Sequence, residues 1–173
     1  MFAGSTQIRT IDGKILRPLE PPGAAAVLFF VATDCPISNA YAPEIQRICS
    51  AFKGRGVSCA LVYEDVNVTA DAVRKHASEH GYRQIAAAID DGTLAARVNA
   101  SITPETVVID HSGRVRYHGR IDNLYVAFGK SRQVVTVHDL RGALEAVVAG
   151  KTVATPATEA VGCYIMPSNQ RSK

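Results

Sequence analysis

Residues 27–45 read VLFFVATDCPISNAYAPEI, and this stretch decides the fold. It begins inside Ala24–Ala32 (AAAVLFFVA), an unbroken apolar run with Pro21, Pro22 and Gly23 before it and polar Thr33-Asp34 after it. A run of this length without alternation reads as a strand buried on both faces, hence a central one. Further on, Ile45, Ile48, Cys49 and Phe52 recur at i, i+3, i+4 and i+7, which is one face of a helix. Pro43 is tolerated in the first turns of such a helix, and Gly54 and Gly56 end it. The pattern predicts a helix over Pro36–Lys53, with Cys35 at the junction between strand and helix.

Outward from that unit the same alternation continues. Residues 4–16 are a lead-in with a turn at Asp12-Gly13, a pair that joins hairpin strands. Val57–Tyr63 (VSCALVY) reads as a second buried strand. Thr69 is placed to cap a helix running to Gly81 with Val73 inward. Ile85–Asp90 is a short strand, and a short helix follows Asp91-Gly92-Thr93 as far as Val98. Thr106–Ile109 and Arg114–His118 flank a turn at His111-Ser112-Gly113, and a last helix runs from about His138 to Ala149. Strands alternating with helices imply a largely parallel sheet covered on both faces, here finished by an antiparallel hairpin. Reactive loops of such sheets lie at the carboxyl ends of the strands, where Cys35 falls. The expected organisation is one domain over residues 1–150 and a tail over 151–173. Val161, Tyr164, Ile165 and Met166 flank Cys163 in that tail. An apolar cluster so near a chain end predicts that residues 161–166 dock on the domain.

Composition removes several function classes. The net charge of +3 over 173 residues, with a mild cluster of Arg114, Arg116, Arg120, Lys130 and Arg132, is too sparse for a nucleic-acid face. No stretch approaches the roughly 20 apolar residues that span a bilayer. MFAGSTQIRT, residues 1–10, lacks the basic and long apolar regions of an export signal. The expectation is a soluble protein, cytoplasmic or, with a signal upstream, exported. No nucleic-acid or membrane partner is expected, and the sequence sets no oligomeric state.

None of the four cysteines forms a CxxC pair, which argues against a zinc ribbon. Cys49 lies on the apolar helix face and Cys59 inside a buried strand, so both read as core. Cys35, at the start of a helix, faces unpaired backbone N–H groups and the positive end of the dipole, a setting that favours thiolate, the nucleophilic form. Pro36 presets the helical backbone there. Ser38 lies one turn past Cys35, where its hydroxyl serves either as a donor to that sulfur or as a plain helix cap. Cys163 lies 13 residues beyond Gly150, a span of up to about 40 Å when extended, enough to reach Cys35 across the domain. The alternatives are passive packing and pairing between chains. Arg120 follows the hairpin, where it either balances a thiolate or sits at the surface. His76 and His80 are four apart on one helix, but nothing nearby completes a metal site, so no metal or resident cofactor is expected.

Together with ITPETVVIDHSGRVRYHGRID at residues 102–122, the opening segment resembles the redoxin branch of the thioredoxin superfamily, related to alkyl hydroperoxide reductase/thiol-specific antioxidant and TlpA-like thiol-disulfide proteins. The resemblance covers roughly residues 5–150. It implies an α/β thioredoxin-like three-layer sandwich, a central mixed sheet with helices on both faces. It also implies a cis peptide at Thr103-Pro104, whose loop, with Pro36, lies beside the reactive sulfur where an extended substrate pairs. The sequence departs from each subgroup: Ser38 stands where thioredoxins have a second cysteine, Ala32 and Leu28 where peroxiredoxins have Thr or Ser and Pro, and Asn39 where Sco-type copper chaperones complete CxxxC. The expectation is a thiol-disulfide oxidoreductase or thiol-dependent peroxidase. Its nucleophile would be Cys35, Cys163 a resolving partner, and Ser38 and Arg120 auxiliaries. A protein disulfide or peroxide would be the substrate, and an external thiol the reductant. A Sco-like copper-binding module and a silent adaptor are the competing readings.

Overall fold

The computed structural model describes residues 6–170; residues 1–5 and 171–173, at the ends of the expected domain and tail, lie outside it. Ile8–Arg9 (β1) and Ile15–Leu16 (β2) pair antiparallel around the Asp12-Gly13 turn. Then follow Ala25–Val31 (β3), Pro36–Ala40 (α1), Ala42–Lys53 (α2), Val57–Tyr63 (β4), Ala70–Glu79 (α3), Ala86–Ile89 (β5) and Thr93–Arg97 (α4). The second half holds Ile102–Thr103 (β6), Glu105–Asp110 (β7), Val115–Gly119 (β8), Tyr125–Ala127 (β9), Lys130–Ser131 (β10), Asp139–Val148 (α5) and Cys163–Tyr164 (β11).

Five strands form the central sheet in the order β5-β4-β3-β7-β8. The first three run parallel; β7 is antiparallel to β3, and β8 to β7. All seven residues of β3 are buried, as an unbroken apolar run in the middle of a sheet requires. The pleat divides them between two cores. Ala25, Val27, Phe29 and Val31 join Ile45, Ile48 and Phe52 of α2, Val73 of α3 and Leu140 and Leu144 of α5 on one face. Leu28 and Phe30 join Leu94 of α4 on the other, where Ile8, Leu16 and Ile165 pack from outside. This is the α/β architecture expected from the sequence, with Thr103-Pro104 cis.

Two local features differ from the sequence reading. The helix predicted over Pro36–Lys53 is two helices with Tyr41 between them. Tyr41 N–H still bonds to the Ile37 carbonyl, and Ile45 N–H to the Tyr41 carbonyl. Pro43 has no N–H to offer the carbonyl four residues back, so the ladder is interrupted there. Cys49 and Cys59, read as packing, are joined in a disulfide between α2 and β4. Position 59 alternates onto the sheet face that α2 covers, which sets the two Cα atoms 6.0 Å apart, within disulfide range. The bond closes a loop with a sequence separation of 10. In the chain-entropy account a loop of this length stabilises the fold by roughly 2–3 kcal/mol. Cys59→Ala is therefore expected to lower the unfolding free energy by about that amount in denaturant titrations without reductant. The gap to the parent should shrink when both proteins are titrated under a strong dithiol reductant; an equal gap in both conditions would assign the loss to packing.

Candidate functional site

The site forms where the carboxyl end of β3 meets the cis-proline loop and the returning tail. Cys35 is the N-cap of α1, with Pro36 as the first helical residue and no bond from the cap side chain to the helix. The sulfur turns instead to the Thr103 carbonyl, to which the thiol donates at 3.1 Å. Cys35 is fully buried. Below it, the Thr33 N–H and hydroxyl are held by the Asp65 carboxylate, and the Asn39 amide donates to the Thr33 carbonyl at 3.0 Å. The Asn39 oxygen then accepts from His76 Nε2 at 2.8 Å, and His76 Nδ1 faces the Tyr63 hydroxyl at 2.9 Å. This chain fixes the imidazole as the Nε2–H tautomer, with Nδ1 the acceptor. Burial, helped by the neighbouring His80, pushes the His76 pKa down. The i,i+4 pair considered for a metal is thus a stacked pair of rings, 4.1 Å apart. Among the described residues, no group of three or more His, Cys, Asp or Glu is arranged to hold a metal ion.

The tail reaches the site in two steps. Residues 156–158 first run along β8: His118 N–H bonds to the Pro156 carbonyl, and Thr158 N–H to the His118 carbonyl, each at 3.0 Å. Thr158 then enters a small network in which its Oγ1 accepts from Arg120 N–H at 3.0 Å and meets the Tyr117 hydroxyl at 2.6 Å. Gly119, at φ +144°, makes room, since a Cβ there would strike the Thr158 carbonyl. Farther on, β11 pairs antiparallel with β6, Cys163 opposite Thr103 and Tyr164 opposite Ile102. Ile165 N–H extends the pairing to the Ser101 carbonyl at 2.9 Å. The pairing places the Cys163 thiol 2.7 Å from the Cys35 sulfur, to which it donates. Burial first, then its hydrogen bond to Cys35 and its electrostatic interaction with the neighbouring Cys35 and Asp34, push the Cys163 pKa up to about 12. Cys163 therefore keeps its proton at neutral pH.

The other anticipated side chains lie as follows. Thr103 and Pro104 form the wall against Cys35, and the Thr103 hydroxyl reaches the Cys163 carbonyl at 3.4 Å. Ser38 is buried at the third helical position, so it is not the cap of α1; among the described residues its hydroxyl has no hydrogen-bond partner, Cys35 included. Arg120 donates from Nε to Asp139 at 2.8 Å, which holds its guanidinium on α5 rather than on either sulfur.

Glu105 was not singled out by the sequence reading. It is buried at the start of β7, and its Oε2 accepts Ser101 N–H at 2.7 Å and Ile102 N–H at 3.2 Å, anchoring the backbone that carries Thr103. Its Oε1 lies 3.2 Å from His118 Nε2, close enough to ion-pair though not aligned for a hydrogen bond. Burial alone would raise the Glu105 pKa; His118 and the two N–H groups outweigh it and hold the carboxyl below its ordinary value. Glu105 in turn raises His118. A carboxyl immediately after a Thr-Pro pair was the available signal, but only the fold shows what it anchors.

Two predictions test this assembly. A Cβ on Gly162 would run into the Thr103 carbonyl and the Ile102 side chain, so Gly162→Val should undock β11. Amide exchange at Ile165 is then expected to lose its protection, and unchanged protection would refute the close approach. In imidazole NMR titrations, His118 should titrate above 6.5 and His76 below it. The stabilisation from His118 is present at low pH and lost as pH rises through its raised pKa. That from Glu105 is present above the ordinary carboxylate range and lost as pH falls through its lowered pKa. Glu105→Gln should bring the His118 midpoint down.

A five-stranded mixed sheet, a buried cysteine heading the first helix after the central strand and a cis-proline loop against its sulfur define a thioredoxin-like redoxin. The sequence pattern of the AhpC/TSA family matches residues 6–118. The chain belongs to that family, and its tail lies beyond the matched span. No curated protein matches the chain in sequence. Among solved structures it is similar to a hypothetical protein of Sinorhizobium meliloti 1021, with 24% identity, a TM-score of 0.79, and 94% of this chain and 91% of that one covered. It is also similar to an uncharacterized conserved protein of Geobacillus kaustophilus, at 24% identity and TM-score 0.80 over 95% and 92%. A secreted Mycobacterium tuberculosis disulfide oxidoreductase homologous to E. coli DsbE follows at 22% and 0.60 over 82% and 96%. At these identities the likeness is one of fold. Among the described residues, no helix is long and apolar enough to cross a membrane.

Proposed function

We propose that the protein is a thiol-disulfide oxidoreductase whose working couple is Cys35 and Cys163, cycling between dithiol and disulfide. The observation that carries this reading is the 2.7 Å approach of the two sulfurs across the β6–β11 pairing. Sulfurs so placed need only a small shift to bond. Thiolate is the attacking form in exchange, and Cys163 is held protonated, so the nucleophilic part falls to Cys35. In the exchange Cys35 attacks one sulfur of a substrate disulfide, whose other sulfur leaves as a thiol. Cys163 then gives up its proton, attacks the Cys35 side of the mixed disulfide and releases the second substrate sulfur. The substrate is reduced by two electrons and the couple becomes a disulfide. Thr103 and Pro104 supply the wall on which the extended chain bearing the second sulfur lies. The tail occupies that place here, so in the dithiol form, where no bond ties Cys163 to Cys35, β11 lifts from β6 to admit the substrate to the buried Cys35.

A disulfide substrate is favoured over a peroxide by the residue three before Cys35. Ala32 has no hydroxyl to hold a peroxide oxygen, and the buried Ser38 hydroxyl makes no bond to the sulfur.

The four cysteines fall in four different tryptic peptides, which makes the couple directly readable. After mild oxidation, an unreduced digest is expected to contain residues 15–47 linked to 152–171. Cys35→Ser should bring reduction of a model protein disulfide by dithiothreitol down to the uncatalysed rate. A digest with only the Cys49–Cys59 link, or full activity in Cys35→Ser, would overturn the reading.

A further inference from the structure

The two sulfurs of the couple differ in who can reach them. Cys35 is fully buried beneath β11, walled by the Thr103 carbonyl and the core that α1 and α2 cover. Cys163 is partly exposed and stands on the ridge between two clefts. One cleft is bordered by Tyr125, Phe128, Arg132 and Tyr164, the other by Asp34, Asp65 and Met166. Cys163 lines both and Cys35 neither. In thiol-disulfide exchange the incoming thiolate approaches along the line of the bond it breaks, from beyond the sulfur it attacks, and access decides which sulfur that is. Cys35 offers no exposed surface to such an approach, whereas Cys163 is partly exposed and lines both clefts.

We infer that, when the oxidised couple is reduced, the external thiolate attacks Cys163 and the mixed disulfide forms on the tail. This rests on the reading of Cys35 and Cys163 as a redox couple. It assigns the reductive half of the cycle to the sulfur that the sequence marks only as a resolving partner. The bond between the reductant sulfur and Cys163 forms as the Cys163–Cys35 bond breaks. Cys35 leaves as thiolate beside the Thr103 carbonyl and takes a proton from solvent. A second thiol of the reductant then attacks the reductant sulfur in the mixed disulfide, and Cys163 leaves and is protonated. The reductant, a dithiol or two monothiols, loses two electrons and two protons, and the couple gains them. The partner is thus a thiol that fits the ridge at Cys163, with Phe128 and Tyr164, 65% and 89% exposed, as its apolar flanks.

The test is equilibration of the intact protein in mixtures of glutathione and glutathione disulfide, quenched with acid, alkylated and mapped by tryptic peptide. Adducts on Cys163 are expected to exceed those on Cys35 by about tenfold or more. Glutathione found mainly on Cys35 overturns the inference, and so does a couple that opens and closes across the mixtures with no adduct on Cys163. If the most oxidising mixture yields no 15–47 to 152–171 link at all, the couple itself has failed, which the same map shows separately. Gly162→Val supplies an internal contrast. With β11 undocked and Cys35 uncovered, the preference should fall toward parity, and a preference that persists undiminished would remove burial as its cause.

Discussion

The Thr103 carbonyl is the point on which the site turns. From one side it accepts the Cys35 thiol, and on the other it leaves no room for any side chain on the residue before Cys163. A carbonyl oxygen that must meet a sulfur and a passing backbone together is held by more than its own strand. The cis bond at Pro104 turns the chain, and Glu105 grips the two amides upstream of Thr103. The order of the residues follows from that requirement. Gly162 supplies the close approach, Cys163 the sulfur, and Tyr164 and Ile165 the register that fixes where the sulfur lands.

Electrostatics keep this assembly in place rather than activating it directly. The Glu105 carboxylate is buried and would be costly there alone; two backbone amides and His118 satisfy it. His118 sits on β8, whose backbone also carries residues 156–158 of the tail, so one histidine touches both the loop and the strand that guides the tail home. On the far side of Cys35, Asp65, Asn39, His76 and Tyr63 form a second satisfied chain that ties the loop after β3 to α3. Arg120, the residue after β8, lines one of the clefts beside Cys163 and is held there by Asp139.

The Cys49–Cys59 disulfide and the Cys35–Cys163 pair are of different kinds. The first closes a short loop inside the layer of α2 and β4, remote in the chain from the tail. The second joins positions 128 residues apart, through a strand pair only two residues long. Short pairing of that sort contributes little by itself, because ordering a tail costs conformational entropy that so short a ladder barely offsets. What retains it are Ile165 packed on the second core, Val161 and Cys163 packed on the first, and the Thr158 network.

Elements whose chemistry is local were legible in the residues. The unbroken run of Ala24–Ala32 could only be a central strand, the spacing from Ile45 to Phe52 only a helix face, and Asp12-Gly13 and His111–Gly113 only turns, because burial and turn geometry act over a few residues. The break at Tyr41 was half legible: Pro43 marks a missing N–H, but proline is tolerated in the first turns of a helix, so the residue alone does not separate one helix from two. The hairpin of β9 and β10 and the two-residue strands β6 and β11 carried no such signal, because strands that short have no periodicity to read. The disulfide between Cys49 and Cys59 was hidden for a related reason: each cysteine announced its burial, but not that a helix face and a strand face would bring them opposite each other. The same limit applies to the site. The sequence by itself determined that Cys35 heads a helix at the end of a central strand and that Cys163 lies within chain reach of it. Only the tertiary structure decided that they meet, that Glu105 holds the loop between them, that Ser38 and Arg120 face elsewhere, and that Cys163 is the sulfur open to solvent, because contact between residues so far apart is set by how layers pack, and not by any pattern along the chain.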